Sequence, residues 1–345
     1  MRIFSGIQPT GRKHLGNYLG AIVQYVEGQE RTQSPSGTGT GDEAIYCIVD
    51  LHATTVAYEP EQLRERTLDT AATLLAAGLD PARCILFRQG DVHEHTELCW
   101  LLCSVTALGE LNRMHQFRDK SAVQRELVSA GLLFYPVLQA ADVLAYRADE
   151  VPVGEDQREH VELMRDIARR FNERFGETLV APEHRIPTVG ARVRDLQEPG
   201  RKMSTTGGSE QGTVYVLDEP DAIRKKFKRA VTDSGAKVLR GPDKAGITNM
   251  IDILAVVRGV APEVVERDFE GKRYGDFKSA VGDELAAWLA PVRERYAELR
   301  GDEDALEDIL EAGAEKARAI ASVTVADVRA AMGVGPARRA SLRPA

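Results

Sequence analysis

The chain has 345 residues and a mass of 37.9 kDa, enough for about two globular domains with buried cores. Its 53 Asp and Glu against 45 Lys and Arg leave a net charge of −8, so any nucleic-acid partner must be held by a local patch rather than by bulk electrostatics. Cys47, Cys84, Cys99 and Cys103 lack zinc-site spacing and disulfide-scaffold density, and there is neither a leader-like start nor a run of ~18 apolar residues, so a reducing cytoplasmic setting without membrane insertion is expected.

In chain order, short apolar runs at 2–8 (RIFSGIQ), 44–52 (AIYCIVDLH), 83–89 (RCILFRQ) and 150–154 (EVPVG) predict strands. Each is followed by a segment of helical period, the pattern of a parallel α/β sheet. The stretch 31–43, rich in Gly, Ser, Thr and Pro, predicts a mobile loop before the second strand. From 219 onward the strand signal fades, and NMIDILAVVRGV, GDELAAWLAPVRERYAELR and ALEDILEAGAEKARAIASVTVADVRAAM predict an all-helical second domain. After Met332 the tail GVGPARRASLRPA has too little apolar surface to order itself. The expected division is therefore 1–218, 219–332 and a tail at 333–345.

Several constellations are candidates for chemistry. The first strand runs into QPTGRKHLGNYLG, where Gly11, Gly16 and Gly20 flank His14 and Asn17 ahead of a helix. Such a turn lets backbone and helix N-terminus approach a phosphate, and it serves equally as a strand-to-helix turn capped by His14 and Asn17. Asp50 and His52 end the second strand, the edge where open α/β sheets place ligands, although His52 suits a structural cap as well. His93, Glu94 and His95 form an H-E-H triplet without a third metal ligand in evidence, and read as structural. Cys99 and Cys103, four apart on a helix, read as small packing residues.

Asp142 lies in the nearly apolar GLLFYPVLQAADVLAY, and a buried carboxylate needs donors. An internal salt bridge or helix cap would satisfy it; so would a ligand that offers an N–H, with Ala140 and Ala141 leaving room for a flat ring. VPVGEDQREH, at 151–160, leads through Gly154 into an acidic first helical turn, for which dipole complementation suffices at Glu155. RKMSTTGG, at 201–208, places Lys202, Ser204 and two threonines in a glycine-flanked segment, the composition that neutralises a leaving pyrophosphate or simply a solvated loop. The run RKKFKR at 224–229, the strongest basic cluster of an acidic chain, joins that segment to the helical part and is expected as a solvated helix face or, equally, as a nucleic-acid contact through any of its residues.

HLGN at 14–17 and KMSTT at 202–206 resemble the HIGH and KMSKS signatures of class I aminoacyl-tRNA synthetases. SGIQPTG, VDLHATT, YPVLQAAD, VPVGEDQREH and AVTDSG resemble the tryptophanyl members of that family, from Phe4 to the helix near Met332. The resemblance implies a Rossmann-type parallel-sheet catalytic domain at 1–218, with a helical domain at 219–332 that binds the tRNA anticodon. It implies ATP contacts from Gln8, Pro9, Thr10, Gly16 and Asn17, from Gly154, Glu155 and Asp156, and from Val193, Lys202, Met203, Ser204, Thr205 and Thr206. His14, Asn17 and Lys202 would stabilise the triphosphate, with Mg²⁺ sharing the load. Asp142 would bond the indole N–H of tryptophan, Tyr135 and Gln157 would hold its ammonium group, and His52 would line the pocket.

The implied activity is ATP-dependent activation of L-tryptophan, then transfer to tRNA(Trp), by a cytoplasmic homodimer. Two departures stand out: Gln139 where the family has Met, and Thr205 with Thr206 where KMSKS has Lys and Ser. The second leaves open a regulatory paralogue; a tyrosyl enzyme and a smaller HxGH-type nucleotidyltransferase are the enzyme alternatives.

Overall fold

The computed structural model describes residues 1–32, 42–115, 129–154, 157–185, 193–204 and 208–336. Five strands, β1 (Arg2–Ile7), β2 (Glu43–Ile48), β3 (Ile85–Arg88), β4 (Glu150–Pro152) and β5 (Glu183–Arg185), form one parallel sheet in the order β3-β2-β1-β4-β5. The first four coincide with the expected runs, β2 starting one residue earlier, at Glu43. β5 is the sequence Glu-His-Arg, without an apolar residue, and it joins the sheet only by pairing along β4 at the edge. The expected second strand also ends early, at Ile48, because Asp50–Ala53 coil into a short helix.

Between β1 and β2 run α1 (Leu15–Asn17), a π-helical turn (Tyr18–Ile22) and α2 (Val23–Arg31); α3 (Asp50–Ala53) and α4 (Pro60–Ala76) lead to β3. α5 (Glu94–Cys103), α6 (Leu108–Arg113) and α7 (Ala130–Leu144) lead to β4, and α8 (Arg158–Phe175) to β5. The C-terminal part is all helical: α9 (Pro220–Lys228), α10 (Ala245–Arg258), α11 (Pro262–Asp268), α12 (Tyr274–Arg300) and α13 (Glu303–Met332). Arg31 and Glu43 belong to α2 and β2; the rest of the expected 31–43 loop, from 33 to 41, lies outside the described residues, as does 337–345 of the tail. No single helix among the described residues is long and apolar enough to cross a membrane.

Strand alternation sorts the core onto two faces. Ala44, Tyr46, Ile48 and Leu86 face α2 and α4, and behind them lie α9, α10 and α12. Ile45, Cys47, Ile85 and Phe87 face α5, α7 and α8 together with the second half of α13. α13 starts on an Asp302 cap, whose side chain accepts from Ala305 N at 3.0 Å, and its buried stripe of Gly313, Ala314, Ala317 and Ala321 is small enough to lie on β3. At Gly313 the fit admits no side chain: a Cβ there would sit 1.8 Å from the Leu86 carbonyl oxygen. The helix thereby covers the edge of the sheet that β3 would otherwise leave open.

The chain steps outward from β1 to β2 and β3, then resumes on the other side with β4 and β5. Strand order reverses between β1 and β4, and a crevice at such a switch point, beyond the carboxyl ends of the strands, is where parallel sheets bind ligands. The segments after β1, β2, β3 and β4 carry His14, His52, Gln89 and Gly154 to that edge.

Candidate active site

His14 is the N-cap of α1. Its Nδ1 accepts from Asn17 N at 3.2 Å while Asn17 Oδ1 accepts from His14 N at 3.2 Å, a reciprocal capping box. The capping reading of these residues is thus correct, and it fixes the ligand-facing geometry too. It commits Asn17 Oδ1 and leaves the Nδ2 hydrogens as what Asn17 can offer a phosphate. Gly16 is required here, since a Cβ would sit 2.9 Å from the imidazole of His14 and 3.6 Å from Val193. Gln8 and Thr10 are exposed and Pro9 is buried at the end of β1, with Gln8 O accepting from Lys13 Nζ at 2.7 Å.

The described part of the 202–206 motif, Lys202 to Ser204, is brought to this loop by backbone pairing. Leu15 N donates to Val214 O at 2.8 Å, and Met203 N donates to Val193 O at 3.0 Å. Arg194 and Lys202 face each other across an antiparallel bridge, and Asn249 of α10 clamps Arg194 by accepting from its N at 2.8 Å and donating to its O at 3.1 Å. Val193 and Met203 are buried; Lys202 is exposed. Burial, Lys202 and Lys13 together push the His14 imidazole down to about 4, and burial pushes Lys13 down to about 8.

His14 is therefore uncharged at neutral pH. The folded value lies below the ordinary 6.5, so the fold loses stability from this group as pH falls from 6.5 towards about 4 and loses none above 6.5. In a titration of ring signals of ¹³C-histidine-labelled protein, His14 is expected at a midpoint near 4, rising in Lys202→Ala. A midpoint unmoved by that substitution would show that the two motifs do not share a field.

Asp142, in α7, is 2% exposed and is held by three donors. Oδ2 accepts from His52 Nε2 at 2.8 Å, and Oδ1 accepts from His95 Nδ1 and Gln89 Nε2, each at 2.6 Å. Burial works against the charge, yet the hydrogen bonds from His52 and His95 hold this carboxyl well below the usual carboxylate range. The carboxylate has about four acceptor positions and three are filled, which leaves one at Oδ2. Internal partners therefore hold the group, by hydrogen bonds from two imidazoles and an amide, and they do not exhaust it. Tyr135 lies beside His52, ring centroids 6.3 Å apart, and its hydroxyl meets His160 Nε2 at 3.0 Å; burial pushes its phenol up to about 12. Gln157 caps α8, its N donating to Gly154 O at 2.9 Å.

Glu155, Asp156, Thr205 and Thr206 lie outside the described residues. Gln89, His95 and Tyr146 were not expected at a site: the H-E-H spacing draws attention to His95, but only the fold shows that it reaches Asp142 from 47 residues away. Cys99 and Cys103 pack against the core around Phe87, as small hydrophobes do. One expectation needs correction, in the 224–229 run. Lys226 is buried, donates to Thr213 O at 2.7 Å and pairs with Asp218 at 2.6 Å, so it is a structural cation, while Arg224 pairs with Asp221 and Asp283. Lys225, Lys228 and Arg229 are exposed, as is the paired Arg224.

Comparison with known proteins agrees with this arrangement. Residues 1–290 match the family model described as tRNA synthetases class I (W and Y). The chain is 44% identical over 333 residues to a Wolinella succinogenes protein named tryptophan–tRNA ligase, covering 96% of this chain and 98% of that one. Among solved structures, tryptophanyl-tRNA synthetase from Mycoplasma pneumoniae superimposes with a TM-score of 0.87 at 33% identity, covering 97% of this chain and 98% of that one. The enzyme from Campylobacter jejuni, crystallised with ADP and tryptophan, gives 0.80 at 34%, covering 97% and 100%.

Proposed function

The chain belongs to the class I tRNA synthetases of the tryptophan and tyrosine family, and from that premise we propose that it is the tryptophan-specific ligase: it activates L-tryptophan with ATP and transfers the aminoacyl group to tRNA(Trp). The observation that carries the choice of amino acid is Asp142, an ionised carboxylate beside the carboxyl-edge crevice with one acceptor position unfilled. An indole has one N–H donor and no acceptor, which is what that position takes.

In the reaction, the tryptophan carboxylate, ionised at neutral pH, attacks the α-phosphorus of ATP, and the bond to the β-phosphate oxygen breaks to release pyrophosphate. No general base is needed. Gln8, Pro9, Thr10, Gly16 and Asn17 would take the nucleotide from the β1 side, and Gly154, Glu155 and Asp156 from the β4 side. The remaining contacts would come from Val193, Lys202, Met203, Ser204, Thr205 and Thr206. His14, neutral, would donate to the triphosphate without adding charge, and Lys202 would meet the charge that grows on the leaving group. Tyr135 and Gln157 would hold the ammonium group, with His52 at the pocket wall. Mg²⁺ would accompany ATP as part of the nucleotide substrate. When bound, such an ion supplies charge neutralisation. The 2′-hydroxyl of the terminal adenosine then attacks the carbonyl carbon of the adenylate, the anhydride bond to the phosphate breaks, and AMP leaves with the hydroxyl proton.

For the expected division into 1–218 and 219–332, we assign tRNA binding to the helical part, with the exposed Lys225 and Lys228 on its approach. The homodimer reading is supported by Trp100, 78% exposed, and by Leu108 and Phe134, which lie on α5, α6 and the helix α7 that both pack against, and would be covered by a second copy. Four free thiols accord with a cytoplasmic place of action.

The test is ATP–pyrophosphate exchange with each amino acid. Tryptophan is expected to support it and tyrosine to be far weaker; equal rates would remove the tryptophan assignment. Charge reversal at Lys225 and Lys228 is expected to weaken tRNA charging and leave exchange intact, because adenylate formation needs no tRNA. Loss of both activities together would make the run structural.

A further inference from the structure

Asp142 is one of fifteen residues in α7, flanked by Ala140, Ala141 and Val143, which offer it no hydrogen bond. Its orientation is imposed from outside the helix. His52 follows β2, Gln89 follows β3, and His95 lies in the first turn of α5, so three separate segments fix one carboxylate. The two oxygens have different neighbours. Oδ2 lies on the side of His52 and Tyr135, the side of the proposed amino-acid pocket, whereas Oδ1 is turned to the interior, where His95 is fully buried between Phe87 and Tyr146. His95 is wedged in turn: its Nε2 meets the Tyr146 hydroxyl at 2.6 Å, and Tyr146 is itself fully buried and stacked on Phe4 of β1 at 5.3 Å. A chain of short hydrogen bonds thus runs from Tyr146 through His95 to Asp142, anchored on the central strand of the sheet. Such chains polarise one another and stiffen the geometry of their last member.

We propose that His95 is a positioning residue for amino-acid selection: backed by Tyr146 and seconded by Gln89, it occupies the inner oxygen of Asp142 so that the outer oxygen keeps one acceptor site aimed at a ring N–H. His95 reaches no substrate itself and acts only through Asp142. The proposal rests on the tryptophan reading of the pocket and adds the device by which that reading would be enforced. A carboxylate without its inner partners could rotate about its side-chain bond or take up a proton. In the second case it would present a donor where the indole needs an acceptor, and an aromatic ring without N–H would then be accepted nearly as well.

The experiment measures kcat/KM in pyrophosphate exchange for L-tryptophan and for benzothienylalanine, in which sulfur replaces the ring N–H, using the full-length chain. The ratio isolates the N–H contact, since the two side chains have almost the same shape. In the wild type a ratio of about 10 to 150 is expected for a hydrogen bond to a charged group. Asp142→Asn is the reference variant: it keeps the volume, His52 can switch tautomer to accept from the new amide, and the ratio is expected to fall close to one. His95→Ala is expected to lower the ratio at least fivefold through the KM for tryptophan, with kcat and the KM for the sulfur analogue retained. His95→Asn, which keeps a donor at the Nδ1 position, should restore most of it. Tyr146→Phe removes only the hydroxyl behind His95 and should lower the ratio two- to threefold; it decides the matter if His95→Ala does not fold.

A wild-type ratio in His95→Ala or, failing that variant, in Tyr146→Phe, alongside a collapsed ratio in Asp142→Asn, would overturn the proposal and leave the tryptophan reading standing. A ratio near one already in the wild type, or one unchanged in Asp142→Asn, would instead remove Asp142 as the indole partner and the proposal with it.

Discussion

Asp142→Ala is expected both to unfold more easily and to lose tryptophan. The carboxylate satisfies His52, Gln89 and His95 at once, and its removal leaves three buried donors facing a space the size of a carboxyl group. Buried donors left without a partner cost about 1 to 3 kcal/mol each, and three of them, with partial relaxation of the site, about 3 to 5 kcal/mol together. For a chain of this length a loss of that size lowers the melting midpoint by roughly 5 to 15 °C. The substrate effect is separable from the stability effect in Asp142→Asn, where the network can re-form around an amide. Loss of one hydrogen bond to a charged group there costs about 1.5 to 3 kcal/mol in kcat/KM for tryptophan. Calorimetry on the alanine variant and pyrophosphate exchange on the asparagine variant check the two halves. An alanine variant as stable as the wild type would mean that the three donors find other partners. Unchanged kinetics in the asparagine variant would assign the carboxylate to the scaffold.

Lys202→Ala is expected to slow adenylate formation in a single turnover at least tenfold, about 1.4 kcal/mol of barrier, while Thr205→Ala changes it little. The second lysine of the usual signature is absent from this chain, so fewer cations stand against the leaving pyrophosphate. Arg201, the nearest in sequence, pairs with Glu198 at 3.0 Å. The cation that shares the His14 environment with Lys202 is instead Lys13, on the opposite side of the pairing between the two motifs. Burial destabilises its charge, and an arriving triphosphate would restore it. Should Lys202→Ala match the wild type, the loop carries no transition-state charge here, and the regulatory-paralogue reading would account better for the altered signature.

The parallel sheet and its first four strands are legible in the sequence because each is a short apolar run followed by a helical period. β5 is not, because an edge strand held by backbone pairing and by ion pairs such as Arg185 with Glu150 requires no apolar run. The two motifs at 14–17 and 202–206 are legible as types, yet their mutual position is set by Val193, Val214 and Asn249, residues whose chemistry advertises nothing. The network beneath Asp142 was least accessible. Gln89 and His95 precede it by 53 and 47 residues, and no periodicity links a strand end, a helix start and the last turn of another helix. The basic run misled for a related reason. Charge density does not report which lysine of a cluster is drawn inward, and Lys226 is, by Asp218 and the Thr213 carbonyl.

The seating of α13 on β3 bears on how the molecule comes to exist. A ribosome delivers β3 more than two hundred residues before it delivers the helix that shelters it, and at ~5–20 residues per second that interval lasts roughly 10 to 40 s. Throughout it, the unpaired backbone of β3 is a template on which another nascent chain can pair. Crowded polysomes, high expression and nonsense mutations upstream of Gly313 should therefore all push the product towards inclusion bodies, whereas a chaperone that occupies the strand until the late helix arrives should raise the yield of active enzyme.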